Sequence, residues 1–442
     1  MIVLSGAALV LADAVLSPGT LVVEDGRIAD IRPDAPSAGH ADSQFAFHGH
    51  YIVPGFIDVH IHGVDGIDTL DVCGDGDPVA MIAERLPRYG VTAFCPTTVA
   101  CTPAALRGML DQVRRARAAP PPRAARVLPA HLESNFINPE YAGAQPAACL
   151  RSPRAALGPG GSGGSGRSEE RNAKAAERSA KAAERSAKAS AERSGEAAGF
   201  AASEILAEIE RAAPDVGIVT MAPELDGGLD LVRWLAARGH HVSLGHSGAT
   251  YEQAVEAIAA GARHATHLFN RMPPLGHRSP GLAGAVLQAD EIAAEIICDG
   301  HHVHPAMIRA AVAAKRPSRV LAITDATAAA GLPVGSTAML GGQPITAGAT
   351  TAVRADGTIA GSIVTMDRAF QLLVGQVGLS LPDAAAVCST TPARELGLVG
   401  HGILAAGAVA DLVVLDAQLS VVQTYIAGQL VFTRNTAGAS SV

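Results

Sequence analysis

The sequence predicts an α/β protein built on a (β/α)8 TIM-like barrel, with a small β-sandwich domain assembled from both termini. Three observations carry this reading. The long middle of the chain alternates short apolar runs with helical patterns, as βα units around a parallel sheet do. Eight such runs can be placed, at 55–62, 91–97, 126–133, 217–222, 241–246, 264–268, 293–299 and 319–325, and eight strands close a barrel. The two ends are instead β-rich and punctuated by turns, so residues 1–54 and 391–435 are expected to form the small domain around a barrel spanning 55–390.

At the N-terminus, Gly19 to Ile28 reads as a hairpin closed at Asp25-Gly26, a dipeptide that favours tight hairpin turns. Near the C-terminus, Ala410–Asp416 and Val421–Phe432 are strand-like around a turn. One segment breaks the barrel pattern: from Gly158 to Gly199 a Gly/Ser stretch leads into a seven-residue repeat beginning Ala173-Lys174-Ala175-Ala176-Glu177-Arg178-Ser179. The Glu177–Lys181 and Glu184–Lys188 pairs favour a helix, yet no large apolar side chain lies between Arg167 and Gly199. The 158–199 insertion is therefore read as a solvated helix on a flexible tether, with the character of a linker.

Composition narrows the function classes. A chain of 442 residues, 48% of them hydrophobic, can bury a large core, and a formal net charge of −8 offers nothing to nucleic acid or an anionic membrane. The six cysteines (Cys73, Cys95, Cys101, Cys149, Cys298 and Cys388) show no CxxC spacing and read as reduced thiols. The opening Met1-Ile2-Val3-Leu4 lacks a basic flank, and Asp13 interrupts the apolar run that follows. A soluble cytoplasmic protein is the expectation.

The chemistry starts at Asp58-Val59-His60-Ile61-His62. Residues two apart on a strand share a face, so His60 and His62 project together while Val59 and Ile61 are expected to face the helices. Paired neutral imidazoles are half of a divalent metal site. Alone the pair is weak, but Glu133 ends the third apolar run, His246 the fifth, His267 lies in the sixth and Asp325 ends the eighth. Catalytic groups of such barrels collect at the C-terminal ends of several strands, which makes this series a predicted metal site.

The runs Pro54–Gly63, His131-Leu132-Glu133 with Phe136-Ile137-Asn138-Pro139, Ser243–Ser247 and Thr266–Asn270 resemble those of the N-acetylglucosamine-6-phosphate deacetylases of the amidohydrolase superfamily. The resemblance spans nearly the whole chain outside the insertion. It implies Glu133, His246 and His267 as main metal ligands, with His60 and His62 holding a second ion or supporting the first. The ligand set suits Zn²⁺, the ion expected first, or Fe²⁺, at one or two ions per subunit. Asp325 is expected to take a proton from the attacking water and pass it to the departing nitrogen. The resemblance further implies a phosphorylated amino sugar as substrate, bound by Asn270, the backbone amide at Arg271, His302, and Arg278 from the other subunit of a homodimer, with Gln145 near the acyl group.

Two departures from the family pattern lie beside the expected substrate: Ser134-Asn135 replaces Gly-Pro, and Arg271 replaces alanine. They leave N-acetylgalactosamine 6-phosphate, or another N-acyl substrate, as alternatives. A lysine-bridged metal pair is excluded, because Lys174, Lys181 and Lys188 sit in the insertion and Lys315 ends no barrel strand. A deaminase is disfavoured because Ser247-Gly248-Ala249-Thr250 follows His246 without a glutamate. The remaining non-enzyme reading, a degenerate barrel used as a scaffold, predicts eroded ligands, and the full set is present.

Overall fold

The computed structural model describes residues 1–33, 43–71, 76–158 and 199–434. The repeat segment and Cys73 therefore lie outside the described residues. Eight parallel strands form the centre: Phe56–Ile61, Val91–Thr98, Ala130–Glu133, Val216–Met221, His241–Leu244, His264–Ala265, Ala293–Ile297 and Val320–Ile323. They pair in chain order. The ring closes where Ile61 bridges Ala326 and the Asp325 amide donates to His60 O at 2.9 Å. Asp58 reinforces this seam, accepting from Thr324 Oγ1 at 2.6 Å.

The expected third strand, 126–133, is divided. Arg126–Val127 and Ala130–Glu133 are separated at Leu128-Pro129, where proline has no N–H for the ladder. The sixth is two residues long, because the chain turns sharply beyond Ala265 to place His267.

Surrounding helices start where their sequences supply caps. Asp77 accepts from Ala80 N ahead of Pro78–Arg85, and Thr102 accepts from Ala105 N ahead of Pro103–Ala118. Thr250 and Gln253 cap each other at the start of Tyr251–Ala260. Each side-chain acceptor satisfies an N–H that the first helical turn leaves without a partner.

The parity expected of the first strand changes at its end. Val59 packs with Ile57, Cys95, Leu321 and Ile323 inside the barrel, while Ile61 joins the helix-facing core. A register irregularity between Asp58 and Ile61 lets Val59 and His60 both face inward, which strict alternation forbids. The expectation that Val59 faces the helices is thereby corrected.

The two termini build one connected eight-stranded sheet that encloses its own core of Leu4, Leu9, Leu21, Ile28, Ile52 and Tyr425. Tyr51–Pro54 pairs antiparallel with Leu412–Leu415, joining the ends. At the expected hairpin, Asp25 and Gly26 have φ of 48° and 77°, as a type I′ turn requires. Asp411 ties this sheet to the barrel through Arg126 at 2.9 Å.

A four-stranded antiparallel sheet, Thr337–Leu340, Gln343–Ala347, Thr351–Val353 and Ile359–Ser362, follows the eighth strand and was not anticipated. It packs Ala338, Ile345 and Ala352 against Val99 and Ala328, and so overhangs the end of the barrel where the strands terminate. Among the described residues no helix is long and apolar enough to cross a membrane.

Candidate metal centre

Glu133 is the hub. It ends the third strand, and its Oε1 lies 2.9 Å from His246 Nε2 and 3.0 Å from His267 Nε2, with the two imidazole nitrogens 3.0 Å apart. His246 Nδ1 donates to Tyr141 O at 2.8 Å, so its Nε2 carries a lone pair. The site thus aims imidazole lone pairs and a carboxylate oxygen at one buried point. Such an arrangement is repulsive by itself and becomes attractive around a cation, and it has the donor chemistry of a divalent metal. The residues fit the group that the ligand pattern implies.

A second set adjoins the first and shares Glu133. His60 Nε2 is 3.2 Å from His62 Nε2 and 3.4 Å from Asp325 Oδ1, and His62 Nε2 is 3.2 Å from Asp325 Oδ1. All six residues are nearly withdrawn from solvent. Burial alone would raise the Glu133 carboxyl, but the His246 and His267 imidazoles within 3.0 Å outweigh it and hold it well below the usual range. Burial disfavours the charged form of His62, yet its hydrogen bond to Asp325 and the charge of Glu133 raise it above the ordinary imidazole value.

Backbone strain gathers at the same place. His246, His267 and Asp325 have φ of 47°, 31° and 48°, a region costing a non-glycine residue about 1–2 kcal/mol. Each follows a strand end by two residues, and the left-handed turn is what swings its side chain back over the barrel mouth. Left-handed non-glycine residues cluster at functional sites for this reason.

The centre opens into a cavity of about 530 Å³, within the range of small-molecule sites. Gln145, Asn270, Arg271 and His302 line it with the metal-site residues. Gln145 hydrogen-bonds Glu133 Oε2 and accepts from Ala100 N at 2.7 Å, so it holds the hub carboxylate in place. Asn270 Nδ2 is buried with no partner among the described residues. His302 Nδ1 is tied to Asp299 at 2.6 Å, which leaves Nε2 available to the cavity. Arg278 is exposed and does not line this chain's cavity.

The departures separate into two kinds. Arg271 lines the mouth, its guanidinium packed over Gly143 and its Nη2 donating to Ile359 O at 3.4 Å. Ser134 and Asn135, expected beside the substrate, lie elsewhere: both are buried, Ser134 bonds Thr220 O, and Asn135 staples Cys101 O and Cys149 O at 2.8 and 2.7 Å. Their role is loop packing.

Sequence reasoning missed a polar layer beneath the metal site. Glu295 of the seventh strand is fully buried, 3.3 Å from His60 Nδ1 and 3.5 Å from His264 Nδ1, and burial pushes its carboxyl up to about 7. Beside it His131 bonds Val59 O and Thr220 Oγ1 at 2.9 and 2.8 Å. The signal available was a carboxylate in the middle of a strand buried on both faces, which has no route to water.

A parallel barrel with imidazoles and carboxylates at its strand ends defines a metal-dependent hydrolase architecture. The amidohydrolase family model matches residues 51–431. The human N-acetylglucosamine-6-phosphate deacetylase is 36% identical over 432 residues, covering 96% of this chain and 90% of that protein. The Bacillus subtilis (strain 168) N-acetylglucosamine-6-phosphate deacetylase is 31% identical, covering 96% of each. A mutant N-acetyl-D-glucosamine-6-phosphate deacetylase from Mycobacterium smegmatis, in complex with N-acetyl-D-glucosamine-6-phosphate, superposes with a TM-score of 0.80 at 31% identity, covering 98% and 99% of the two chains. The chain belongs to the N-acetylglucosamine-6-phosphate deacetylase family of amidohydrolases.

Proposed function

We propose that the protein hydrolyses the acetamide of N-acetylglucosamine 6-phosphate, releasing glucosamine 6-phosphate and acetate. The observation that carries this is the convergence of Glu133, His246 and His267 on one point of a cavity that also exposes Asp325, Asn270 and His302. Family membership supplies the substrate class.

A divalent ion, Zn²⁺ in this reading, would be held by Glu133, His246 and His267, with His60 and His62 beside it, and would supply Lewis acidity and a water with pKa near 7. The remaining chemistry belongs to the chain. Asp325, 3.2 Å from His62, takes the proton of the attacking water and delivers it to the sugar nitrogen as the C–N bond breaks. Gln145 keeps the Glu133 carboxylate oriented. Asn270 Nδ2, unpartnered among the described residues, donates to the substrate phosphate with His302 Nε2 and the amide at Arg271. Arg278 reaches the phosphate of the neighbouring subunit in a homodimer, where its planar fork gives paired charge-assisted hydrogen bonds. The cytoplasm is the compartment this reading assigns, where the five buried cysteines among the described residues would stay reduced.

The test is acetate release from N-acetylglucosamine 6-phosphate, its galactosamine epimer and the unphosphorylated sugars, each with and without Zn²⁺. Zn²⁺-dependent turnover of the glucosamine phosphate ester, well above the others, is the expected result. No turnover of any phosphorylated sugar refutes the substrate assignment.

A further inference from the structure

Glu295 holds no role in the reading above, and its placement is unusual for a carboxylate. It lies in the barrel interior with no exposure to solvent, and its Oε2 faces His60 Nδ1 at 3.3 Å. The opposite nitrogen, His60 Nε2, faces His62 Nε2 at 3.2 Å, Asp325 Oδ1 at 3.4 Å and Glu133 Oε1 at 3.6 Å. A neutral imidazole carries one proton, and whichever nitrogen donates leaves the other as a lone pair. An ionised carboxylate facing Nδ1 favours the proton there and so leaves Nε2 as the lone pair toward the metal site, as carboxylates behind metal-ligating histidines do. The His131 ring, 4.5 Å away at 65°, packs against His60 and is itself tied to Val59 O and Thr220 Oγ1, so the His60 ring is held as well as oriented.

We propose that Glu295 is a positioning residue that fixes the tautomer and orientation of His60, and thereby allows the His60–His62 half of the centre to take a metal ion of its own beside the one at Glu133, His246 and His267. This rests on the metal-site reading above and assigns a function to a fully buried carboxylate that reading leaves unused. Glu295 is not itself a ligand of a third ion with His60 and His131, although the three groups lie close together, because both nitrogens of His131 are committed to protein hydrogen bonds.

The experiment titrates Zn²⁺ into chelator-stripped full-length protein and counts bound equivalents by calorimetry and elemental analysis, without substrate. Wild type is expected to bind two equivalents. Glu295→Leu keeps the tighter one and binds the weaker about 10–100-fold less tightly, the usual cost of losing the acceptor behind a ligating histidine. Glu295→Gln, whose amide oxygen still accepts from Nδ1–H, retains the second equivalent within tenfold of wild type. Independently of any variant, long-range proton–nitrogen correlation on the zinc-loaded wild type should show His60 protonated on Nδ1. Two equivalents bound with unchanged affinities in Glu295→Leu, a single equivalent in wild type, or His60 protonated on Nε2 each overturns the proposal. Wild type that binds no zinc would instead sink the metal-site reading, and a failure to deacetylate would touch neither count.

Discussion

Replacing Asp325 with asparagine deletes a proton-transfer group while preserving nearly everything around it. The side chains are isosteric, and asparagine tolerates the left-handed backbone, φ 48°, that this position adopts. Asp325 Oδ1 contacts His62 Nε2 at 3.2 Å and His60 Nε2 at 3.4 Å but belongs to neither the hydrogen bonds nor the cluster that join Glu133, His246 and His267. The metal at that cluster should therefore remain. A positioned general acid–base group contributes about 10²–10⁴ in rate, equivalent to about 3–5 kcal/mol of barrier. Because Asp325 serves as base in one step and acid in the next, the loss should fall at the upper end and on kcat, with KM little changed. Acetate release and metal content measured on the same preparations decide the matter. Turnover within tenfold of wild type at full metal content would refute the assignment and move the proton transfers to another group.

The other predictions concern the mouth, the dimer and acid stability. Arg271→Ala removes a cation from the cavity rim and should raise KM for the phosphorylated substrate roughly tenfold or more, the value of one charge-assisted hydrogen bond, with kcat nearly intact; an unchanged KM assigns Arg271 to loop packing. Gly143→Ala should mimic it in part, since a Cβ there would sit 2.4 Å from Arg271 Nε and displace the guanidinium. Mixing inactive Arg278→Ala and Asp325→Asn proteins should partly restore activity, because a hybrid dimer owns one site with both residues intact; no recovery after verified subunit exchange argues against an arginine shared between subunits. Burial alone would raise the Asp411 carboxyl, but His401 and Arg126 outweigh it and hold it below the usual range. A depressed folded-state pKa stabilises fully above the unfolded value, about 3.9, and the benefit vanishes as pH falls through the folded value. Wild type should thus lose melting temperature below about pH 4 more steeply than Asp411→Asn, and parallel curves would contradict this.

Much of the architecture was legible because barrel strands advertise themselves. An apolar run ending in a histidine or carboxylate recurs at His60-Ile61-His62, Glu133, His246, His267 and Asp325, and the structure brings these six side chains together. The path by which they meet was less visible. Alternation on a strand assigned Val59 to the helices, and only the irregularity between Asp58 and Ile61 reveals it in the interior. The four-stranded sheet over the mouth escaped because it follows the eighth strand as segments of only three to five residues, too short for alternation to mark a strand in sequence. Ser134-Asn135 misled for a related reason: adjacency to Glu133 in sequence implied adjacency to substrate, whereas the chain turns them away and buries them against Thr220 and Cys149.

Along the first strand the inward residues run Ile57 and Val59, then His60 and His62; along the eighth, Leu321 and Ile323, then Asp325; along the seventh, Ala293, then Glu295, then Ile297. The first and eighth strands are therefore apolar at their bases and polar at their mouth ends, whereas the seventh carries its carboxylate between two apolar residues, beside the buried His264 of the sixth. Buried charges are tolerated only when paired or held by a metal. Glu133 and Asp325 face imidazoles at the mouth, while Glu295 lies deeper with His60 and His264 for neighbours. A cation at the mouth would act on all three carboxylates, stabilising their ionised forms, and on Glu295 through the ring of His60. The deep carboxylate and the site above it are in this sense one electrostatic unit, which is why a residue outside direct reach of substrate can still decide how the centre is loaded.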